Sequence, residues 1–122
     1  CVIHDDADTI AQKMRAADVL VFATPIYYYG MSGQMKTMLD RGNPLYASDY
    51  AFREVYLLAA AAEEEEHTMD GAVNGLRGWL ACFPKARLAG TVFGGGVDVA
   101  GAIKEHPALQ KAYEMGMAVS NG

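Results

Sequence analysis

The chain has 122 residues, which is enough for one domain. Fifteen acidic against ten basic residues give a formal net charge of -5, which argues against a nucleic acid or an anionic membrane as the main partner. Hydrophobic residues make up 52% of the chain, so a packed core is expected, and no apolar run approaches the roughly 18 residues that cross a bilayer.

The two cysteines, Cys1 and Cys82, are too few for a disulfide framework, so we expect a reduced, cytoplasmic protein. The chain starts with Cys1 and not with Met, and it opens with no basic segment followed by an apolar one, as a secretory signal would. We therefore expect that sequence upstream of Cys1 was removed or lies outside this chain.

The first predicted helix precedes the first predicted strand. Ile10, Met14 and Ala17 recur at helical spacing, and acidic residues crowd its start, where the helix dipole favours them. Residues 19–23 are five consecutive apolar residues, which is typical of a parallel strand buried on both faces.

The second predicted helix carries a methionine-rich apolar face. Ser32 is the expected N-cap, Arg41 lies in the last turn, and Gly42 is the expected C′ residue. The members of the apolar face are Met31, Met35, Met38 and Leu39.

Two more strand–helix pairs follow. Residues 55–62 predict a strand, although their alanine tail is also compatible with a helix, and residues 88–93 predict another. Pro84 ends the helix between them, and Pro107 begins the last helix. The apolar faces are Val73, Leu76, Leu80 and Phe83 in the third helix, and Leu109, Ala112, Tyr113 and Gly116 in the last.

The resulting order is α-β-α-β-α-β-α. Alternating helices and strands favour right-handed crossovers and a parallel sheet with helices on both faces. We find no internal repeat and no linker, so residues 1–122 are expected to form a single α/β domain.

Three loops are candidate binding segments, because ligands of open parallel sheets bind beyond the carboxyl ends of the strands. They are residues 24–32, 63–71 and 94–101. The second, with four consecutive glutamates and His67, is more typical of a solvated acidic loop than of a metal site. The third, with three glycines, is flexible enough to surround a phosphate, but it matches no phosphate-binding motif.

The composition of the first loop suits a flat aromatic ligand. Three consecutive tyrosines occupy residues 27–29, Pro25 stiffens the exit from the strand, and Gly30 and Gly33 allow close approach to the backbone. The same tyrosines are equally compatible with a covered edge or a subunit interface.

Other chemistry-bearing residues form no motif. His4, His67 and His106 lie on separate segments without metal-ligand spacing, and His106 is interpreted as a helix-boundary residue. Cys82 is interpreted as a buried small hydrophobe.

The segment ATPIYYYGMSGQMKTMLDR, residues 23–41, resembles the flavin-loop signature of NAD(P)H-dependent FMN reductases of flavodoxin-like fold. In the branch that includes iron-sulfur flavoproteins, a Thr-Pro-x-Tyr turn leads into a helix with Lys and then Asp-Arg. The segments GLRGW at 75–79, FGGGV at 93–97 and HPAL at 106–109 resemble the same branch, so the resemblance covers nearly the whole chain.

This resemblance implies a three-layer α/β/α fold that binds FMN at the carboxyl ends of the strands. It implies an oxidoreductase in which the flavin carries the redox chemistry from NAD(P)H to an acceptor, so that no catalytic side chain and no metal ligand is named. The implied cofactor-binding residues are Thr24, Pro25, Ile26, Tyr27, Tyr28, Tyr29, Gly30 and Met31 on one side of the ring, with Ala62 and Glu63 on the other.

The family's first two strands and its phosphate-binding loop have no counterpart in this sequence. The predicted strands would be the third to fifth of a fold that needs about 150 or more residues. Cys1 would match the last cysteine of an upstream cluster, so an iron-sulfur cluster is expected only in a full-length form.

The leading hypothesis is an FMN-dependent NAD(P)H oxidoreductase with a small-molecule or protein acceptor. One alternative is a flavin-binding electron carrier without nicotinamide activity. Another is a cofactor-free domain that oligomerises, because residues 19–22 would form an uncovered strand edge. A homodimer or higher oligomer is expected, and neither nucleic acid nor membrane is an expected partner.

Overall fold

A computed structural model describes the backbone of residues 2–121 and the side chains through residue 119, so Cys1 and its expected role lie outside the described residues. Four helices and four strands follow one another in the predicted order, with one short strand added. They are α1 (Ala7–Ala16), β1 (Val19–Tyr27), β2 (Gly30–Met31), α2 (Gly33–Asp40), β3 (Glu54–Ala60), α3 (Asp70–Leu80), β4 (Arg87–Gly94) and α4 (Pro107–Asn121). Short 3₁₀ helices lie at Asn43–Leu45, Glu66–Met69 and Ala102–Glu105.

The strands form one sheet in the order β2-β1-β3-β4. β1, β3 and β4 are parallel, whereas β2 folds back antiparallel on the end of β1. Pro25 is the register partner of Ala60, and Ala60 is the partner of Gly94, so the three parallel strands end side by side. The fold is α/β of the flavodoxin-like class, as predicted.

One face of the sheet, called the closed face, packs against α1, α2 and α3. Its core combines Phe22 and Leu57 from the strands with Met14, Leu39 and Leu76 from the helices. An aromatic cluster lies at its centre: Tyr50, Phe52, Trp79 and Phe83, with the Phe52 side chain wholly buried.

The other face, called the open face, is covered by α4, which packs mainly over β4. Gly90 admits α4, since a Cβ there would lie 3.1 Å from the sulfur of Met115, and Gly94 admits the 3₁₀ helix before α4, since a Cβ there would lie 2.9 Å from Cδ1 of Ile103. Helices therefore flank both faces, as predicted.

The prediction that β1 is buried on both faces is wrong for the described chain. Its closed-face residues are buried, but Val21, Ala23 and Pro25 point to the open face and are exposed. Over residues 19–25 the edge of β1 that faces away from β3 has no strand partner among residues 2–121. The open-face residues of β1 are exposed because α4 packs mainly over β4 and leaves them uncovered.

The predicted face of α4 is also wrong. Leu109 and Tyr113 are exposed, whereas Ala108 and Met115 face the sheet. The glycines of β4 make this possible, because their missing side chains leave room for Met115 beside Gly90 and for Ala108 near Gly94. The exposed stripe lies beside the uncovered part of the sheet, where Leu109 lines an apolar cleft.

Two local predictions need smaller corrections, and a third is confirmed. In α1, Ala11 and Met14 are buried, but Ile10 is exposed. Gly42 is the C′ residue of α2, as predicted, since Arg41 is the C-cap; its φ is −78°. Cys82 is exposed, because it lies in the turn after α3 at the protein surface.

Within the described residues, no helix is both long enough and apolar enough to cross a membrane.

Candidate functional site

The candidate site lies where the three parallel strands end. Because Pro25, Ala60 and Gly94 are register neighbours, the segments that follow them meet at one edge of the sheet. This edge unites the three segments that the sequence singles out, and it is the edge at which ligands of open parallel sheets bind.

The first segment is a β-hairpin and not the predicted loop. β1 continues to Tyr27 and β2 returns at Gly30, which leaves Tyr28 and Tyr29 as a two-residue turn. Their φ angles of 49° and 62° are those of a type I′ turn, in which both central residues are left-handed. Such turns usually contain Asn-Gly, so this sequence gives no hairpin signal, and two tyrosines there carry backbone strain.

Thr24 closes the base of the hairpin from a buried position. Its hydroxyl donates to the Pro25 carbonyl at 2.8 Å and accepts from the Ser32 N–H at 2.9 Å. Ser32 in turn caps α2 by accepting from the Met35 N–H at 3.2 Å, as predicted. The Thr24 hydroxyl is thus committed to the fold, and this residue faces a ligand only through its backbone.

The hairpin rests on α3 through glycines. A Cβ at Gly71 would overlap the Tyr29 carbonyl oxygen, and one at Gly75 would lie 2.9 Å from the terminal methyl of Met31. The side chains of Ile26 and Met31 pack against the closed-face core. The backbone of the turn is therefore held in place by α3 and the closed-face core, whereas its outer side chains are exposed to solvent.

Those outer side chains are the three predicted tyrosines. Tyr28 is 102% exposed, and Tyr27 and Tyr29 are 61% and 57% exposed. Aromatic rings presented on a held, strained turn fit a planar aromatic ligand, since the rings offer apolar area at little cost in conformational freedom.

An apolar cleft of about 440 Å³ opens on the neighbouring open face. Thr24, Pro25, Ala60 and Gly94 line it at the strand ends, and Leu109 lines it from α4. Its volume and its apolar walls suit a flat heteroaromatic ring.

The second and third segments are joined to each other by backbone hydrogen bonds. Ala61 N–H donates to Gly94 O at 3.0 Å, Gly96 N–H to Glu63 O at 2.9 Å, and Val97 N–H to Ala61 O at 2.9 Å. We call residues 61–64 and 94–97 the paired loops. Gly95 is required in this pairing, because a Cβ there would lie 2.7 Å and 2.8 Å from the carbonyls of Glu64 and Glu63.

Ala62 and Glu63, the predicted residues of this side, are both exposed at the strand edge. Neither residue's N–H donates a hydrogen bond to another of the described residues. Both amides are therefore available to the polar edge of a ligand.

The charge of this edge is acidic. Glu63, Glu64, Glu65 and Glu66 are exposed, and His67 Nδ1 lies 3.0 Å from a carboxylate oxygen of Glu65. Across residues 2–121, no group of three His, Cys, Asp or Glu side chains is placed to bind a metal ion. No Lys or Arg occurs in residues 24–32, 61–66 or 94–101, so the edge suits an uncharged ring better than a phosphate.

The family model for NADPH-dependent FMN reductase matches residues 1–100 of this chain. The chain belongs to the NADPH-dependent FMN reductase family. All ten predicted site residues lie within that match, on the hairpin and on the paired loops.

Individual relatives agree with this membership. An iron-sulfur flavoprotein of Methanocaldococcus jannaschii is 44% identical over 45 residues, 37% of this chain and 23% of that protein. YwqN of Bacillus subtilis, named as an NAD(P)H-dependent FMN-containing oxidoreductase, is 30% identical over 69 residues, 50% of this chain and 38% of that protein. These matches span less than two-fifths of the relatives' own lengths.

The solved structure of the Trp repressor binding protein from Bacillus subtilis has the same fold. It superimposes with a TM-score of 0.71 at 24% sequence identity, covering 88% of this chain and 73% of that one.

Proposed function

We propose that this chain binds the ring of FMN at the hairpin and serves an oxidoreductase that passes electrons from NAD(P)H through the flavin to an acceptor. The observation that carries the proposal is the held turn with three exposed tyrosines beside an apolar cleft at the carboxyl edge. Family membership supplies the identity of the ring.

The proposed site residues divide into contact and support. Pro25 and the tyrosines at 27–29 contact the ring, and the amides of Ala62 and Glu63 meet its polar edge from the other side. The remaining proposed residues, Thr24, Ile26, Gly30 and Met31, act through backbone groups and through the packing that fixes the turn.

FMN supplies the hydride and electron chemistry when it is bound. The chain's own part is to orient the ring, to exclude water from one of its faces with tyrosine and apolar side chains, and to set its electrostatic surroundings. The glutamates of the paired loops make the electrostatic potential beside the ring more negative. Extra negative charge on the reduced flavin is therefore disfavoured.

The first experiment titrates the purified chain with FMN and with riboflavin and follows flavin fluorescence. A single charge-assisted hydrogen bond to phosphate contributes about 1.5–3 kcal/mol, which is more than tenfold in affinity. Because the described edge offers no basic side chain, we expect the two affinities to agree within about threefold. Absence of binding of either flavin at high protein concentration would contradict the proposal.

A matched pair of variants locates the binding. Tyr28→Ala removes an exposed ring from the turn, and we expect flavin affinity to fall by about tenfold. Tyr46→Ala removes a ring that is 64% exposed but follows the 3₁₀ helix after α2, and it should leave the affinity unchanged. Equal effects of the two variants would place the flavin elsewhere.

A second experiment separates an enzyme from an electron carrier. The flavin-loaded chain is mixed anaerobically with NADPH, and flavin absorbance is followed. Rapid bleaching supports the oxidoreductase, whereas a stable absorbance supports a flavin-binding carrier without nicotinamide activity.

The open edge of β1 favours a further candidate role, self-association. Residues 19–25 offer unpaired backbone groups beside exposed Val21, which is a template for pairing with a second copy. We propose a homodimer or higher oligomer, and Val21→Lys should shift light scattering toward the monomer mass. A wild-type chain that is already monomeric would refute this role. The cytoplasmic location, the nature of the acceptor and an iron-sulfur cluster in a longer form stay predictions.

A further inference from the structure

His106 connects the start of α4 to the paired loops. Its Nδ1 accepts a hydrogen bond from the Ala108 N–H at 3.0 Å, and its Nε2 lies 2.8 Å from the Gly95 carbonyl oxygen. The side chain is half-buried between these two partners.

These contacts fix one tautomer. Because Nδ1 accepts from an amide, it carries no proton, so the proton resides on Nε2 and is donated to Gly95. The imidazole is therefore neutral in this arrangement. A protonated ring would have no acceptor for the Ala108 N–H and would place positive charge at the positive end of the α4 dipole.

Gly95 is the centre of the pairing that shapes one side of the candidate site. It lies against the carbonyls of Glu63 and Glu64, and its neighbour Gly96 donates to Glu63. The hydrogen bond from His106 to the Gly95 carbonyl therefore also restrains the backbone of Glu63, which is proposed to contact the flavin.

Each segment that contacts His106, and each one next to it in the chain, carries charged side chains, yet none forms an ion pair with it among the described residues. They are Glu63 and Glu64 on one paired loop, Asp98 after the other, Lys104 and Glu105 on the 3₁₀ helix, and Lys111 on α4. The geometry of the contacts, and not a charge partner, sets the requirement for a neutral ring.

We infer that His106 is a positioning residue that, in its neutral form, locks the paired loops against α4 and so fixes the Ala62–Glu63 side of the flavin site. The inference rests on the proposed function for its ligand. Protonation of the ring opens the lock, because a protonated Nδ1 can no longer accept from the Ala108 N–H.

Two variants separate helix capping from loop positioning. His106→Asn keeps a short side-chain oxygen that can cap α4 but lacks the reach to Gly95, whereas His106→Ala removes both functions. His67→Gln is the control, because His67 is the other histidine beside the paired loops and is exposed.

The first measurement is amide hydrogen exchange at Gly96 and Val97, the donors of the loop pairing. We expect both His106 variants to exchange about tenfold faster than wild type at pH 8, and this ratio to shrink toward one at pH 5. His67→Gln should match wild type throughout. Unchanged exchange in His106→Asn would overturn the inference, because capping alone would then explain the residue.

The second measurement is riboflavin affinity between pH 5 and 8, since riboflavin has no phosphate whose own titration would confuse the profile. We expect wild-type affinity to fall about tenfold on acidification, and the affinity of both variants to be low and flat. Faster exchange with unchanged affinity would overturn the positioning role. If wild type binds no flavin but the exchange ratios change as expected, the proposed function fails while the lock itself stands.

Discussion

The two faces of the sheet differ in how the same strand is used. On the closed face, alternate residues of β1 are buried by three helices and an aromatic cluster. On the open face, Val21, Ala23 and Pro25 of that strand are exposed, because α4 covers β4 and part of β3. The closed face accounts for the stability of the described chain, whereas the open face and its edge carry the candidate site.

The largest expected effect comes from the closed face. Phe52 is wholly buried among Tyr50, Trp79 and Phe83, so Phe52→Ala should lower the free energy of unfolding by about 3–5 kcal/mol. The open-face counterpart is Val21→Ala, which should change it by less than about 0.5 kcal/mol. Urea denaturation of both variants tests the contrast, and similar losses would mean that the open face is covered in solution.

The hairpin depends on the closed face for support. Gly71→Ala would drive a Cβ into the Tyr29 carbonyl oxygen, which should cost about 1–3 kcal/mol of stability and displace the tyrosines. Gly78 lies on the same helix, and a Cβ added there would meet no atom within 4 Å, so Gly78→Ala should instead stabilise by up to about 1 kcal/mol. Thermal unfolding measures whether each variant is less or more stable than the wild type. A Gly71→Ala variant of unchanged stability would show that the hairpin does not pack on α3.

The turn itself should trade stability for binding. Replacing Tyr28-Tyr29 by Asn-Gly relieves two left-handed tyrosines and should raise the free energy of unfolding by about 1–2 kcal/mol. The same change removes two exposed rings, so flavin affinity should fall. A variant that gains stability and keeps its affinity would show that the strain serves no ligand.

The smallest effect concerns an ion pair at the rim of the closed face. Hydrogen bonds from Arg41, and then from the Ala7 N–H, hold the pKa of Asp5 below its ordinary value. Because this pKa is lowered in the folded state, the ion pair stabilises the fold at pH values above the ordinary pKa of about 3.9. That stabilisation is lost as the pH falls below this value. Asp5→Asn should therefore flatten the acid side of the stability profile, measured by denaturation between pH 2 and 7, and an unchanged profile would contradict the pairing.

The sequence predicted the closed side of the molecule better than the open side. Element order, the Ser32 cap and the Pro107 start followed from local patterns, since capping and periodicity are properties of neighbouring residues. The sheet-facing side of α4 was predicted wrongly because it depends on Gly90 and Gly94, distant residues that leave room for Met115 and Ala108, while Leu109 and Tyr113 stay exposed.

The segment that forms the candidate site was singled out by its composition, but its geometry was not predicted. Three tyrosines marked the segment, whereas the type I′ turn lacked the Asn-Gly signal that reveals such hairpins. The role of His106 depends on a contact with Gly95, eleven residues away along the chain, and the only local signal was its position before Pro107.

Trp79 gives this molecule a built-in optical reporter. It is the single tryptophan of the chain, its indole N–H donates to the Leu39 carbonyl at 3.2 Å, and its ring contacts Phe22 and Phe83 on the closed face. Intrinsic emission excited at the tryptophan band therefore follows the melting of one side of the sheet. A change of structure confined to α4 should leave the surroundings of Trp79 unchanged until the shared strands themselves separate.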